Sequence, residues 1–336
     1  MDVLLQSSIR PTPEAAIASP AHPHSIFLRC PVCTHSIGEL VPQAMGVEPL
    51  CPACGFRFKN EQGIWKAFAP CREERFEQFM TEYQTIRRSE GRGSSGGCYY
   101  LALPFKDTTG RNSWQWRLRA RSFRYLQRKI LPEIERGHKS GLDILDVGAG
   151  NCWLSYRLAL GGHRPVAIDL RTDELDGLGA SRHYLRFLSQ PFPRFQAEMD
   201  RLPFDEGQFD LVIFNASFHY SEDYQTTLGE VLRCLRRPGH ILIVDSPFYT
   251  SEENGCAMMA ERRKAYLKKY GFASDSIASR EFLTWETLRQ LSRTYGVRWQ
   301  LVRPWYGMRW ALRPLRARLA RRREPAKFYI IRGLVL

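Results

Sequence analysis

What this chain lacks narrows its function first. It has no stretch of about 18 consecutive apolar residues, so no membrane-spanning helix is expected. Met1 to Ser25 is rich in Pro, Ala and Ser but has no basic region followed by an apolar core. It therefore reads as a disordered tail rather than a secretory signal. Without such a signal, the nine cysteines point to a reducing, cytoplasmic setting, where thiols stay free or hold metal. Acidic residues are missing from Arg111–Lys129 and from Arg309–Arg323, two blocks with seven basic residues each. Together these blocks match the whole formal net charge of +14, so the remainder of the chain is balanced. No internal repeat is visible. What is present, 336 residues with 43% hydrophobic and 25% charged side chains, suits one large domain with a smaller companion.

The most informative stretch runs from Leu142 to Gly150: an apolar strand, an acid at Asp146, and the turn Gly148-Ala149-Gly150. Glycines there let a ligand approach the backbone with no Cβ in the way. The helix expected at 152–160 aims free N–H groups at the same place. Asp146 adds a carboxylate suited to a cationic amino group. Asp169 closes the next strand, where an acid can accept hydrogen bonds from both ribose hydroxyls. The set suits a nucleoside carrying a charged amino-acid tail. A dinucleotide is disfavoured, because Trp153 stands where a third glycine would let the helix pack over a pyrophosphate.

Three further segments follow in order: Ala197–Phe204, ending in Leu-Pro-Phe; Phe209–Asn215; and Arg237–Asp245, opening with Arg-Pro-Gly. With these, residues 140–250 resemble the class I S-adenosylmethionine-dependent methyltransferases, the type 11 group in particular. The resemblance implies an α/β fold with a Rossmann-like seven-stranded sheet, mostly parallel with an antiparallel last strand. Strands are expected at 142–147, 165–169, 194–197, 209–215 and 239–245, alternating with helices. Two late strands, 297–303 and 327–335, would add the antiparallel edge, with a basic insertion near 305–325 between them. The resemblance also implies that Gly148, Ala149, Gly150 and Asp146 hold the methionine moiety and that Asp169 holds the ribose. Glu198 and Met199 would hold the adenine, with Asp200 as an accessory or substitute acid. Asn215 ends the fourth strand, facing the expected methyl position, and His219 is a candidate general base. The Asn/Asp-Pro-Pro-Tyr/Phe motif of amino-group DNA methyltransferases is absent.

Cys30-Pro-Val-Cys33 and Cys51-Pro-Ala-Cys54 have the spacing of a four-thiolate structural zinc site. Residues 26–70 are read as a zinc ribbon, resembling those fused or bound to methyltransferases. Residues 71–140 are read as a helical lid or linker, with Ser113 as a plausible helix cap. Tyr99, Tyr100 and Trp114 are weighed there as pocket aromatics against plain core packing. Residues 141–336 would form the methyltransferase domain. The acceptor is expected to be a small molecule or a lipid-linked or anionic substrate. Alternatives are a ribosomal or transfer RNA gripped by the ribbon and arginines, or a catalytically degenerate binding subunit. Arg111–Lys129 and Arg309–Arg323 are candidate contacts to nucleic acid or a membrane surface.

Overall fold

The apolar runs at 143–147 and 209–215 form strands buried on both faces, as parallel strands covered by helices on each side must be. A computed structural model describes residues 25–40, 48–138 and 140–336, so the tail expected at 1–25 lies outside the described residues except for Ser25. The elements begin with two hairpins, β1 (Ile26–Arg29) with β2 (Ser36–Leu40) and β3 (Lys59–Glu61) with β4 (Ile64–Lys66). Helices α1 (Pro70–Ser89), α2 (Gly97–Ala102), α3 (Ser113–Tyr125) and α4 (Leu131–Ile134) come next. The alternating part comprises β5 (Asp143–Val147), α5 (Trp153–Leu160), β6 (Arg164–Asp169), α6 (Arg182–Leu185), β7 (Arg194–Gln196), β8 (Phe209–Asn215), α7 (Tyr224–Cys234) and β9 (Leu235–Val244). The chain closes with α8 (Glu252–Tyr270), α9 (Trp285–Tyr295), β10 (Arg298–Val302), α10 (Met308–Ala311), α11 (Arg313–Leu319) and β11 (Ile330–Val335).

The sheet order is β10-β11-β9-β8-β5-β6-β7-β4-β3. From β10 to β7 this is the expected seven-stranded Rossmann-like sheet. β5 pairs in parallel with β6 and β8, and β8 with β9. The last strand, β11, is antiparallel but sits between β9 and β10 rather than at the edge. Among the described residues, no helix is long and apolar enough to cross a membrane.

Two expectations change. The ribbon segment is not a free-standing unit, because β3 and β4 extend the central sheet through the parallel pairs Trp65↔Phe195 and Lys66↔Gln196. Leu28 bridges Phe204, and Ile26, Leu28 and Phe58 share one buried cluster with Leu145, Phe195 and Phe214. Ser113 lies inside α3, and Asn112 holds the N-cap position, its N–H bonded to Asp107 Oδ2 at 2.6 Å. Past Tyr125 a π-helical turn (Leu126–Ile130) carries the helix into α4.

Candidate functional site

The ends of β5, β6 and β8 open into a cleft of about 1110 Å³, its open mouth included, at the carboxyl edge where ligands bind in open α/β sheets. Asp146, Gly148, Ala149, Gly150, Asp169, Glu198, Met199, Asp200 and Asn215 all line it, so the residues singled out for cofactor binding come together.

Asp146 is fully buried at the end of β5, where Ser155 Oγ at the start of α5 donates to its Oδ2 at 2.6 Å. Burial outweighs that hydrogen bond and pushes the carboxyl up to about 7. Its Oδ1 is buried and has no partner among the described residues, and the same holds for Asn215 Oδ1. Two orphaned acceptor oxygens on adjacent strands call for a donor-bearing ligand. Gly148, with φ +72°, brings the turn against Ser217, whose Cβ would lie 2.3 Å from any Cβ added there.

The N–H groups of Gly148 and Ala149 both donate to Ile168 O at 2.9 Å, and that of Gly150 donates to Asp169 Oδ2 at 2.8 Å. These three amides join β5 to β6, so the turn offers a ligand close approach and carbonyl oxygens. Asp169 also accepts from Arg171 N at 2.8 Å, which fixes the carboxylate facing the cleft. Burial raises its pKa against those two amides.

At the end of the cleft lined by Glu198 and Asp200, Arg72 of α1 grips both oxygens of Glu198, with Nη2 to Oε2 at 2.6 Å. Glu198 is therefore committed to the overlying helix. Asp200 receives Thr227 Oγ1 on one oxygen only, and burial lifts its carboxyl to about 6. Of the two acids, Asp200 is the freer acceptor.

The structure does not bring His219 into the cleft. It is buried beside Ser246, with Nδ1 3.2 Å from Ser246 Oγ, and burial drops its imidazole to about 4. Its neighbour Tyr220 lines the cleft in its place. Tyr99 and Tyr100 belong to the core cluster under α2, and Trp114 lies on the outer surface, so packing wins over the pocket reading. The cleft aromatics are Phe76, Phe79 and Tyr83 of α1, Trp153 of α5, and Tyr220, 5.6 Å from Tyr83 between ring centroids.

The sequence reading also missed the cleft's arginines. Arg87 reaches Asp176 at 2.5 Å, and Arg171 contacts Asp173 and Asp176. Burial opposes ionisation of Asp176, yet the guanidinium of Arg87, aided by Arg171, holds it below the usual carboxylate range. Arg119 of α3 lines the cleft and makes no ion pair or hydrogen bond among the described residues; its guanidinium lies 5.0 Å from the Trp116 ring centre, and the buried Asp245 carboxyl attracts it without touching it. A signal for Arg119 existed in its spacing, three residues after Trp116 and four before Phe123, which places it on the inward face.

The four cysteines form a second candidate site. The Sγ atoms of Cys30, Cys33, Cys51 and Cys54 lie within 4.8 Å of one another. Two matching knuckles hold them: Cys30 N–H donates to His35 O and Cys51 N–H to Phe56 O, at 2.9 and 2.8 Å.

Residues 145–243 match the family described as a methyltransferase domain. That segment, residues 145–243, is a methyltransferase domain of the class I S-adenosylmethionine-dependent type. The demethylmenaquinone methyltransferase of Mycolicibacterium gilvum is 29% identical over 126 residues, which cover 38% of this chain and 49% of that protein. The chain thus spans about half the length of that relative. Among solved structures, the YcgJ protein of Bacillus subtilis is similar at 15% identity, covering 61% of this chain and 97% of that one, with a TM-score of 0.43. An S-adenosylmethionine-dependent methyltransferase of Thermotoga maritima is similar at 15% identity over 78% and 98%, with a TM-score of 0.38.

Proposed function

We propose that this protein binds S-adenosylmethionine in the cleft and transfers its methyl group to a small acceptor that is anionic or lipid-linked. The observation that carries this reading is the pair of orphaned oxygens, Asp146 Oδ1 and Asn215 Oδ1, flanking the close approach at Gly148. In it, Asp146 takes the α-amino group, Asp169 the ribose hydroxyls and Asp200 the adenine amine. Glu198 acts at one remove, fastening α1 over the adenine end through Arg72. When bound, the cofactor supplies a methyl carbon on a sulfonium, already activated for displacement. The protein then has to align the acceptor and exclude water, which suits the aromatic wall of Phe76, Phe79 and Tyr83.

Proton removal is not assigned to a side chain. His219 is outside the cleft and held near 4, and burial raises the Tyr220 phenol well above its ordinary value. The acceptor is therefore one that arrives ionised or with a free lone pair, such as an amine or thiolate. Arg119 supports the anionic part of the reading, since a guanidinium in a cleft with no direct ion pair among the described residues favours an incoming oxyanion. The Mycolicibacterium gilvum relative is named for acting on demethylmenaquinone, which agrees with a lipid-linked acceptor.

The second part of the proposal is a structural zinc ion held by Cys30, Cys33, Cys51 and Cys54, whose Sγ spacing suits a tetrahedral thiolate shell with no open position. None of the nine cysteines is paired in a disulfide, in keeping with a reducing, cytoplasmic setting. Native mass spectrometry of freshly purified protein should find S-adenosylmethionine or its demethylated product, and one zinc. A protein that neither carries nor takes up the nucleoside would sink the enzyme reading. Full zinc in Cys54→Ser would sink the four-cysteine site.

A further inference from the structure

The two arginine blocks, far apart in sequence, meet on one surface. Trp114 and Arg117 of α3 line a surface pocket with Arg309, Arg313 and Arg316. Arg117 and Arg309 flank the Trp114 ring at 5.5 and 5.4 Å, and Arg313 stacks on Trp310 at 3.9 Å. The segment is pressed against α3: Leu118, Tyr306 and Trp310 share a buried cluster, and Tyr306 Oη is 2.8 Å from Ser122 Oγ. Within Arg309–Arg323 only Arg323 has an acid partner among the described residues, Glu261. The other arginines are unneutralised.

Large apolar side chains stand exposed among these cations. Trp305 is 65% exposed, Met308 64%, Leu315 55% and Leu319 77%. A solvated basic face has no use for them. A single-stranded RNA would pair its phosphates with the arginines and stack its bases on aromatic rings, leaving Leu315, Leu319 and Met308 without partners. An anionic bilayer accounts for both sets at once. Guanidinium groups meet phospholipid headgroups while leucine, methionine and tryptophan enter the headgroup–acyl boundary.

The geometry points to a docking surface for an anionic phospholipid membrane, built from α10, α11 and the outer face of α3. Its inner neighbour is the cleft: Arg117 faces the surface pocket, and Arg119, two residues on, lines the cleft. A lipid-linked acceptor leaving the bilayer would thus meet the methyltransferase site across the thickness of one helix. The docking surface itself does not rest on the identity of the acceptor.

Flotation of the full-length protein with vesicles tests this. Vesicles of phosphatidylcholine doped with phosphatidylglycerol should retain the protein, and those of phosphatidylcholine alone should not. Raising the salt should release it. Arg309→Glu, Arg316→Glu and Arg318→Glu together should reduce vesicle partition by about a hundredfold or more, given the share each basic residue contributes near an anionic surface. Leu315→Ser with Leu319→Ser, which leaves the charge unchanged, should reduce it about tenfold through lost apolar burial. Unchanged partition of the leucine variant would overturn the inference. So would retention of a single-stranded RNA by a wild-type protein that ignores anionic vesicles. Calorimetry with S-adenosylmethionine accompanies each variant and should give the wild-type affinity. If the wild type binds vesicles but no cofactor, the enzyme reading fails and the docking surface stands.

Discussion

The molecule holds two populations of arginine that differ in their partners. In and around the cleft, Arg72, Arg87 and Arg171 each face a carboxylate of Glu198, Asp176 or Asp173. On the outer surface, Arg117, Arg309, Arg316 and Arg318 face aromatic rings or solvent and no acid among the described residues. Paired and buried, an arginine locks elements together, as Arg72 and Arg87 do in fastening α1 across the strand ends. Unpaired and exposed, it remains available to something outside the chain. Arg119 belongs by location to the first population and by lack of a direct ion pair to the second, which makes it the candidate ligand contact.

The largest expected effect breaks the first population. Asp176→Ala leaves Arg87 and Arg171 without their shared acid, and loss of one partner from a buried pair costs about 3–5 kcal/mol. Thermal melting should show a clear fall in Tm, and Arg87→Met should fall in the same direction. Arg119→Met should change Tm far less than Arg87→Met, because it removes a half-buried charge that makes no direct ion pair and whose burial offsets its longer-range attraction to Asp245. If Arg119→Met melts as low as Arg87→Met, the distinction between the two populations collapses. The same variant locates the oxyanion. Loss of acceptor methylation with intact cofactor affinity assigns Arg119 to the acceptor, and loss of cofactor affinity assigns it to the cofactor's own carboxylate.

Next in size is Asp169→Ala, which removes charge-assisted acceptance from the ribose hydroxyls. S-adenosylmethionine affinity should fall ten- to a hundredfold, about 1.5–3 kcal/mol. Titration calorimetry showing unchanged affinity would remove the ribose assignment. A smaller effect per unit of pH comes from Asp146, raised from 3.8 to about 7 by burial. A cationic amino group needs the ionised carboxylate, so below about 7 binding must expel a proton. Affinity should rise about tenfold per pH unit towards 7, level off, and fall again as an α-amino group loses its proton, ordinarily near ~8. Stability of the ligand-free protein should move the opposite way. The folded state holds this proton between 3.8 and about 7 while the unfolded chain does not, so this contribution is lost as pH rises through that window. Asp146→Asn should flatten both profiles.

The legible parts of the fold were those whose cause is local. Phe209–Asn215 is buried on both faces and so reads as an uninterrupted apolar run, and its limits in the structure match the sequence reading. Gly148 and Asp146 were equally readable, because a close turn after a parallel strand requires both a glycine and a strand-end position. Illegible were the features made by distant partners. The Trp65↔Phe195 pair joins segments more than a hundred residues apart and turns the ribbon's second hairpin into sheet edge. The engagement of Glu198 by Arg72 likewise needed the path of α1. His219 was misplaced by one residue's worth of geometry: the 3₁₀ turn Phe218–Tyr220 points Tyr220 into the cleft and His219 towards Ser246.

The smallest expected effect concerns the outer arginines, and it sharpens the comparison because it should be nearly nil. Reversing Arg309, Arg316 and Arg318 to Glu removes no ion pair, since none of the three has an acid partner among the described residues, and all three side chains are exposed. Each substitution also relieves repulsion within a block that holds seven arginines and no acid. Surface changes of this kind usually alter stability by no more than about 0.5 kcal/mol, and here the sign should be favourable. The triple variant should therefore melt at or slightly above the wild-type Tm at low salt, and the gap should close as added salt screens the repulsion. A fall of several degrees would mean that these arginines brace α10 and α11 against α3. They would then belong with Arg72 and Arg87 as internal fasteners, and the outer surface would have no spare charge to offer a partner.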